Sequence, residues 1–234
     1  MLVLITGVGR EGQVGEVVAR AFAERGATVL VVDRMAEQAE ARARALAERG
    51  GRAHPYACDL TNADQVAELA VRVRSDHGER LDALVNMAGG FASSGTIADG
   101  AVDAWHRMIA INLTTAYLAT RAFLPLVRRA RGAIVYFASE AALPGSRVAG
   151  MAPYAAAKTG LTVLTQAVAQ EERANGVRAN ALAPGAIRTA ANVQSMGDDA
   201  RYVEREDVAA AVVWLCSEEA RAVTGQVIRL QAGS

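Results

Sequence analysis

Tyr154-Ala155-Ala156-Ala157-Lys158 sets a phenol and an ammonium four residues apart. On a helix the two side chains share one face, about one turn from each other. A tyrosine phenol ordinarily titrates near a pKa of roughly 10, too high for efficient proton exchange at neutral pH. A neighbouring ammonium stabilises the phenolate and is expected to lower that value. Composition singles out the same lysine: among 25 Lys and Arg residues, every one except Lys158 is arginine. Arg is a broad, permanently charged fork and Lys a compact point charge, so the exception marks a place where the fork would not serve. Ser139 follows the apolar run Ala133–Ala138 and offers a hydroxyl that could polarise a carbonyl beside the phenol. Asn112, in Ile111-Asn112-Leu113, is a poor helix former within an apolar helical stretch, and could bond a water that connects Lys158 to solvent. Together these groups suit proton transfer at an oxygen whose carbon gains or loses a hydride.

A hydride must come from elsewhere, and the N-terminus supplies a place for its carrier. The apolar run Leu2–Thr6 leads into Gly7-Val8-Gly9-Arg10-Glu11-Gly12-Gln13-Val14-Gly15, after which a helical pattern begins. Gly7, Gly9 and Gly12 satisfy G-x-G-x-x-G in the strand–turn–helix setting that lets backbone approach a pyrophosphate at a helix N-terminus. Asp33 ends the next apolar run, about 20 residues further on, where a carboxylate accepts the ribose hydroxyls of NAD and repels a 2′-phosphate. Arg10 and Arg34 lie close enough to soften that repulsion, so NAD(H) is favoured and NADP(H) stays open. Asp59-Leu60 follows the third run, where a carboxylate could bond an adenine amino group. Asn86-Met87-Ala88-Gly89-Gly90 closes the fourth with small residues that leave backbone free to face a cofactor.

The elements that must position these groups follow from the periodicity. Leu2–Thr6, Thr28–Val32, Ala53–Cys58, Leu81–Asn86, Ala133–Ala138, Val177–Ala183 and Gln226–Leu230 are short and mostly apolar without alternation, as strands covered on both faces are. Between them lie amphipathic stretches at Val14–Arg25, Met35–Arg49, Asn62–Asp76, Val102–Arg129, Tyr154–Asn175 and Asp207–Glu218. This alternation predicts an α/β, doubly wound parallel sheet of about seven strands with helices on both faces. Right-handed crossovers then bring the loops after the strands to one edge, where such sheets bind ligands. No Pro/Gly/Ser linker or repeat divides the chain, so residues 1–234 are expected to form one domain, with a substrate loop at 186–205.

Composition removes other classes. The chain is 52% hydrophobic and 21% charged, with 25 basic and 25 acidic residues, which suits a globular protein and provides no basic surface for nucleic acid. The apolar run at the N-terminus is too short to span a membrane and has no basic segment before it. Cys58 and Cys216 are far apart and read as small buried residues of a reducing compartment, so the expected location is cytoplasmic. His54, His77 and His106 are not expected to cluster, and no metal site is expected. Trp105 and Trp214 read as core or interface residues.

In order along nearly the whole chain, these motifs resemble the short-chain dehydrogenase/reductases, in particular their Asn-Ala-Gly and Tyr-x-x-x-Lys subgroup. The matching positions are the glycine turn, Asp33, Asp59, Asn86-x-Ala88-Gly89, Asn112, Ser139, Tyr154/Lys158, Pro184-Gly185 with Ile187 and Thr189, and Val223-Thr224-Gly225-Gln226-Val227. The resemblance implies an NAD(P)(H)-dependent oxidoreductase that moves a hydride between nicotinamide and a ketone or secondary alcohol, as a 3-oxoacyl reductase or small carbonyl reductase does. The alternative class is a non-catalytic dinucleotide-binding scaffold or sensor, against which the complete Ser139/Tyr154/Lys158 set argues. It implies Tyr154 as acid/base, Ser139 positioning substrate, Lys158 tuning the tyrosine and binding ribose, and Asn112 completing a proton relay. Ile187 and Thr189 would contact the carboxamide, and the chain would act as a homotetramer or homodimer through its long helices. Four departures stand out: the later glycines, Gly12 and Gly15, are shifted along the turn, Met87 replaces a second Asn, Gln231-Ala232-Gly233 stands where Asp-Gly-Gly is usual, and Ala190–Glu204 is short for a substrate lid. The stretch from Pro184 to Met196, with Ala88-Gly89-Gly90-Phe91, is also similar to dihydropteridine reductases, which usually lack the serine found here at 139.

Overall fold

The computed structural model describes residues 1–233. Strands β1 (Leu2–Thr6), β2 (Thr28–Asp33), β3 (Arg52–Ala57), β4 (Ala83–Asn86), β5 (Ala133–Phe137), β6 (Arg178–Pro184) and β7 (Val227–Leu230) form one sheet. Its order is β3-β2-β1-β4-β5-β6-β7, and every pairing is parallel. The chain runs outward from β1 in one direction and then, from β4, in the other. That reversal leaves a crevice between β1 and β4 at the carboxyl edge.

The apolar strand runs are explained by burial on both faces. In β1, Val3 and Ile5 join one core and Leu4 the other; in β5, Val135 and Phe137 oppose Ile134 and Tyr136. The first core is closed by α1 (Val14–Ala23), α2 (Ala36–Ala47) and α8 (Arg205–Leu215), through Val18, Phe22, Ala39, Val208 and Val212. The second is closed by α3 (Ala63–His77), α5 (Thr115–Ala130) and α6 (Ala152–Glu171), through Leu69, Phe123, Leu161 and Val168. Asn62 caps α3 by accepting from the amides of Asp64 and Gln65. Pro153 stands in the first turn of α6, where its missing N–H costs nothing.

Two stretches differ from expectation. The predicted helix Val102–Arg129 is three pieces: α4 (Val102–Ile109), a π-helical turn (Ala110–Thr114) and α5. Such turns insert one residue into the hydrogen-bond ladder and re-aim a side chain, and the residue at the centre of this one is Asn112. The short segment after Thr189 is no open loop. It folds as α7 (Ala190–Met196), capped by the Thr189 hydroxyl, and is tied down by an Ile187–Val203 bridge and by Tyr202, whose phenol donates to the carbonyl of Gly197 at 2.7 Å.

Other sequence expectations resolve locally. Cys58 and Cys216 are buried and unpaired, and burial raises their thiols to about 11 and about 12, so both stay protonated. His54 and His77 do meet, against expectation: β3 and α3 bring their rings to 4.6 Å, and Tyr56 binds both Asp76 and His77. Trp105 and Trp214 are each more than two-fifths exposed, so neither is a core residue. No helix among the described residues is long and apolar enough to cross a membrane.

Candidate active site

The carboxyl edge of the sheet opens into a cleft of about 960 Å³ that runs from β3 past β6. Its lining includes Gly7 and Gly15 after β1, Asp33 at the end of β2, and Cys58, Asp59 and Leu60 after β3. Met87 to Phe91 follow β4, Ser139 follows β5, and Pro184, Gly185, Ile187 and Thr189 end or follow β6. Tyr154 and Lys158 enter from α6, as do Ala191, Asn192 and Ser195 from α7. Residues distant in sequence therefore share one trough because every strand points the same way.

The glycine turn is shaped by what a side chain would strike. Gly7 adopts φ +72°, and a Cβ there would lie 2.8 Å from the Ala88 backbone. At Gly15 a Cβ would meet the Gly7 carbonyl at 2.8 Å, and at Gly9 it would meet the Asp33 carboxyl group at 2.6 Å. Gly9 and Gly12 do not line the cleft. The Gly9 amide donates to Asp33 at 2.8 Å, and the Gly12 amide donates to Glu16 at 2.6 Å. Arg205 donates to the Gly12 carbonyl at 2.7 Å, and Arg42 pairs with Glu16, so the lengthened turn is held from two other helices. Thr6, which reads in the sequence as only the last residue of a strand, accepts from the amides of Met87 and Ala88, each at 3.0 Å, and locks the β4 loop onto the turn.

Asn86 and Asn112 sit beneath the cleft rather than on it. Asn86 is buried, with its amide 3.4 Å from the Thr120 hydroxyl. Asn112 is fully buried, donates to the carbonyls of Gly90 (2.9 Å) and Met108 (3.1 Å), and accepts from the Gly90 amide. Gly89 allows this: a Cβ there would lie 2.5 Å from the Asn112 carboxamide oxygen. Asp59 turns inward on its own loop and accepts from the Thr61 amide and hydroxyl, which hold its carboxyl below the ordinary range.

At the far end, Lys158 is buried and donates to the Phe137 carbonyl at 2.7 Å, with Nζ 5.7 Å from the centre of the Tyr154 ring. Burial disfavours its charge and lowers its pKa to about 8. The Tyr154 phenol is raised rather than lowered: burial outweighs the stabilising contact from the Ser139 hydroxyl. The expected lowering by Lys158 is thus overridden, because both groups are desolvated and the ammonium is directed at a backbone carbonyl. Phe91 packs edge-to-face on Tyr154 with centroids 5.2 Å apart and remains 61% exposed on the cleft wall. Among the described residues no group of three or more His, Cys, Asp or Glu side chains is placed to hold a metal ion.

A family model described as enoyl-(acyl carrier protein) reductase matches residues 7–234. The 2-(S)-hydroxypropyl-CoM dehydrogenase 3 of Xanthobacter autotrophicus is 33% identical over 99% of this chain and 95% of its own length. The 3-oxoacyl-(acyl-carrier-protein) reductase of Thermotoga maritima is 30% identical over 98% and 96%. A short-chain type dehydrogenase/reductase from Mycobacterium ulcerans superposes with a TM-score of 0.89 at 30% identity, covering 98% of this chain and 87% of the other. The chain belongs to the short-chain dehydrogenase/reductase family. It is accordingly an oxidoreductase of that family, acting on a CH–OH/C=O pair with a nicotinamide cofactor. Two further members of similar structure differ in the cofactor named with them. A variant actinorhodin polyketide ketoreductase with NADPH superposes with a TM-score of 0.89 at 28% identity over 99% and 96% of the two chains. A 3-oxoacyl-(acyl-carrier protein) reductase from Brucella melitensis with bound NAD has a TM-score of 0.85 at 33% identity over 98% and 88%.

Proposed function

We propose that this chain is an NAD(H)-preferring ketone reductase or secondary-alcohol dehydrogenase in which Tyr154 is the acid/base. The convergence of Ser139, Tyr154 and Lys158 in a cleft of about 960 Å³ that also reaches Asp33 and Asp59 carries the reading. Gly7 and Gly15 leave backbone open for the pyrophosphate, and Asp33 and Asp59 stand at the other end of the trough for ribose and adenine. Pro184, Gly185, Ile187 and Thr189, which line the cleft, would hold the nicotinamide, whose chemistry when bound is the gain or loss of a hydride at carbon.

The chain's own residues handle the proton and the oxygen. A phenol raised by burial stays protonated at neutral pH, so in reduction it donates to the carbonyl oxygen as negative charge develops there. The Ser139 hydroxyl faces the same position and orients that oxygen. Lys158, charged below pH about 8 and close to the ring, stabilises the phenolate once the proton has left. Asn112 positions the Gly89–Gly90 backbone against the cofactor and holds the α4–α5 break in place, which is the structural part of its relay role. The Asp33 carboxylate favours NAD, although its two oxygens already accept from the amides of Gly9 and Met35, at 2.8 and 3.2 Å.

Assembly belongs to the same proposal. Trp105, Tyr117 and Val163 are exposed on α4, α5 and α6, and we place a homodimer or homotetramer contact there. The two unpaired, protonated thiols suit a reducing, cytoplasmic setting. The test pairs parallel NADH and NADPH titrations with ketone reduction by wild type and Ser139→Ala. Tighter NADH binding and a slowed Ser139→Ala variant are expected. Binding of neither cofactor, or an unimpaired variant, would overturn the proposal.

A further inference from the structure

The charged lining of the cleft is divided. At the β2–β3 end, Asp33 and Asp59 are matched by Arg10 and Arg34. Beyond β4, the lining holds Lys158 and Arg107 and, among the described residues, no carboxylate. Lys158 is buried and engaged with a carbonyl. Arg107 is exposed and, like Arg10 and Arg34 among the cleft's arginines, makes no side-chain hydrogen bond or ion pair among the described residues; it differs from those two in having no carboxylate among the lining residues that follow β4.

Its placement is specific. Arg107 lies in the last turn of α4, one turn before Ile111, which also lines the cleft. A cation in a last turn can simply answer the helix dipole. Here the helix continues through the π turn into α5, so its last carbonyls are not left free for that role. Phe91 lines the same cleft, exposed and packed edge-to-face on Tyr154, and supplies an apolar surface beside the reacting position. An unpaired guanidinium in a lining that holds no carboxylate beyond β4 is a ready partner for a carboxylate or phosphate, which its fork can bind through two hydrogen bonds.

Resting on the ketone-reductase reading, we infer that Arg107 forms an anion-binding substrate subsite, with Phe91 and Ile111 lining the path between it and Tyr154. The substrate is thus a ketone or secondary alcohol that carries a carboxylate or phosphate away from the reacting carbon.

Matched pairs differing in one charge test this: levulinate against methyl levulinate, acetoacetate against methyl acetoacetate, and dihydroxyacetone phosphate against dihydroxyacetone. Wild type, Arg107→Ala and Arg107→Lys are compared by kcat/KM with NADH and NADPH. For at least one pair, wild type should prefer the charged member, and Arg107→Ala should cut that preference roughly 10- to 100-fold, chiefly through KM. Arg107→Lys should retain part of it, and the pair that responds identifies carboxylate or phosphate. An unchanged charged-to-neutral ratio in Arg107→Ala would overturn the subsite while leaving the ketone-reductase reading intact. If no pair is turned over, calorimetric titration of the cofactor-loaded protein with levulinate and dihydroxyacetone phosphate decides. Binding lost in Arg107→Ala supports the subsite even though the reductase reading has failed. Binding equal in both proteins, or absent from wild type, refutes it.

Discussion

Lys158 should be costly to the fold and necessary to the reaction, and replacing it with Met separates the two. The difference between its ordinary pKa of 10.5 and about 8 in the folded chain corresponds to about 3 kcal/mol against the charged form, at roughly 1.4 kcal/mol per tenfold in proton affinity. Below pH about 8 the lysine is charged in both folded and unfolded chains, and the full penalty is present. Between about 8 and 10.5 the folded chain releases its proton first, so this group's contribution to stability rises with pH. Lys158→Met removes the penalty and loses the 2.7 Å hydrogen bond to the Phe137 carbonyl, which offsets about 1 kcal/mol of the gain. The net expectation at pH 7 is a variant more stable by about 2 kcal/mol, or about 4–8 °C in Tm. Guanidinium denaturation at pH 7 and pH 9 measures this directly. The advantage should shrink by about 1 kcal/mol at pH 9 as wild type sheds its buried charge, while turnover in the variant falls by roughly 10²-fold or more. A variant no more stable than wild type at pH 7, or an advantage unchanged at pH 9, would refute the reasoning.

Gly9→Ala would press a methyl group onto the Asp33 carboxyl, and NADH affinity by fluorescence titration should fall about tenfold. Asp33→Ser removes the carboxylate while Arg10 and Arg34 still line that end of the cleft, so the same titration should show preference moving toward NADPH. Glu172 is 1% exposed and accepts two bonds from Arg128, at 2.6 and 2.5 Å, and one from Asn175, which hold its carboxyl below its ordinary value of 4.5. Glu172→Gln should cost about 1–2 kcal/mol at pH 7 by urea unfolding. Because the pair stabilises above the ordinary carboxylate range and is lost as pH falls through the lowered value, the difference should fade below pH 4.5.

Much of the fold is written in local patterns. Strands such as β5, with all five residues buried, are apolar without interruption because both sheet faces are covered. The convergence of Tyr154, Lys158 and Ser139 follows from parallel strands sharing one edge. What was hidden depends on contacts distant in sequence. The break at Asn112 exists because its carboxamide bonds to Gly90, which no periodicity in 102–129 reveals. The helix Ala190–Met196 is seven residues long with no buried face, so hydrophobic spacing carries no trace of it. The Tyr154 phenol is raised where the Tyr–Lys spacing alone predicts lowering, because burial outweighs charge and burial is a tertiary property. Arg107 and Phe91 look like ordinary surface and core residues until α4 and the β4 loop set them on the cleft wall.

The central claim is that Tyr154 carries the proton, and Tyr154→Phe isolates that one oxygen. Single-turnover reduction of the fastest ketone in the panel, alongside cofactor titration, gives both readouts from one preparation. NADH binding is expected within about twofold of wild type, with a reduction rate lower by roughly 10²–10⁴-fold. A variant that binds cofactor and still reduces the ketone near the wild-type rate would contradict that claim.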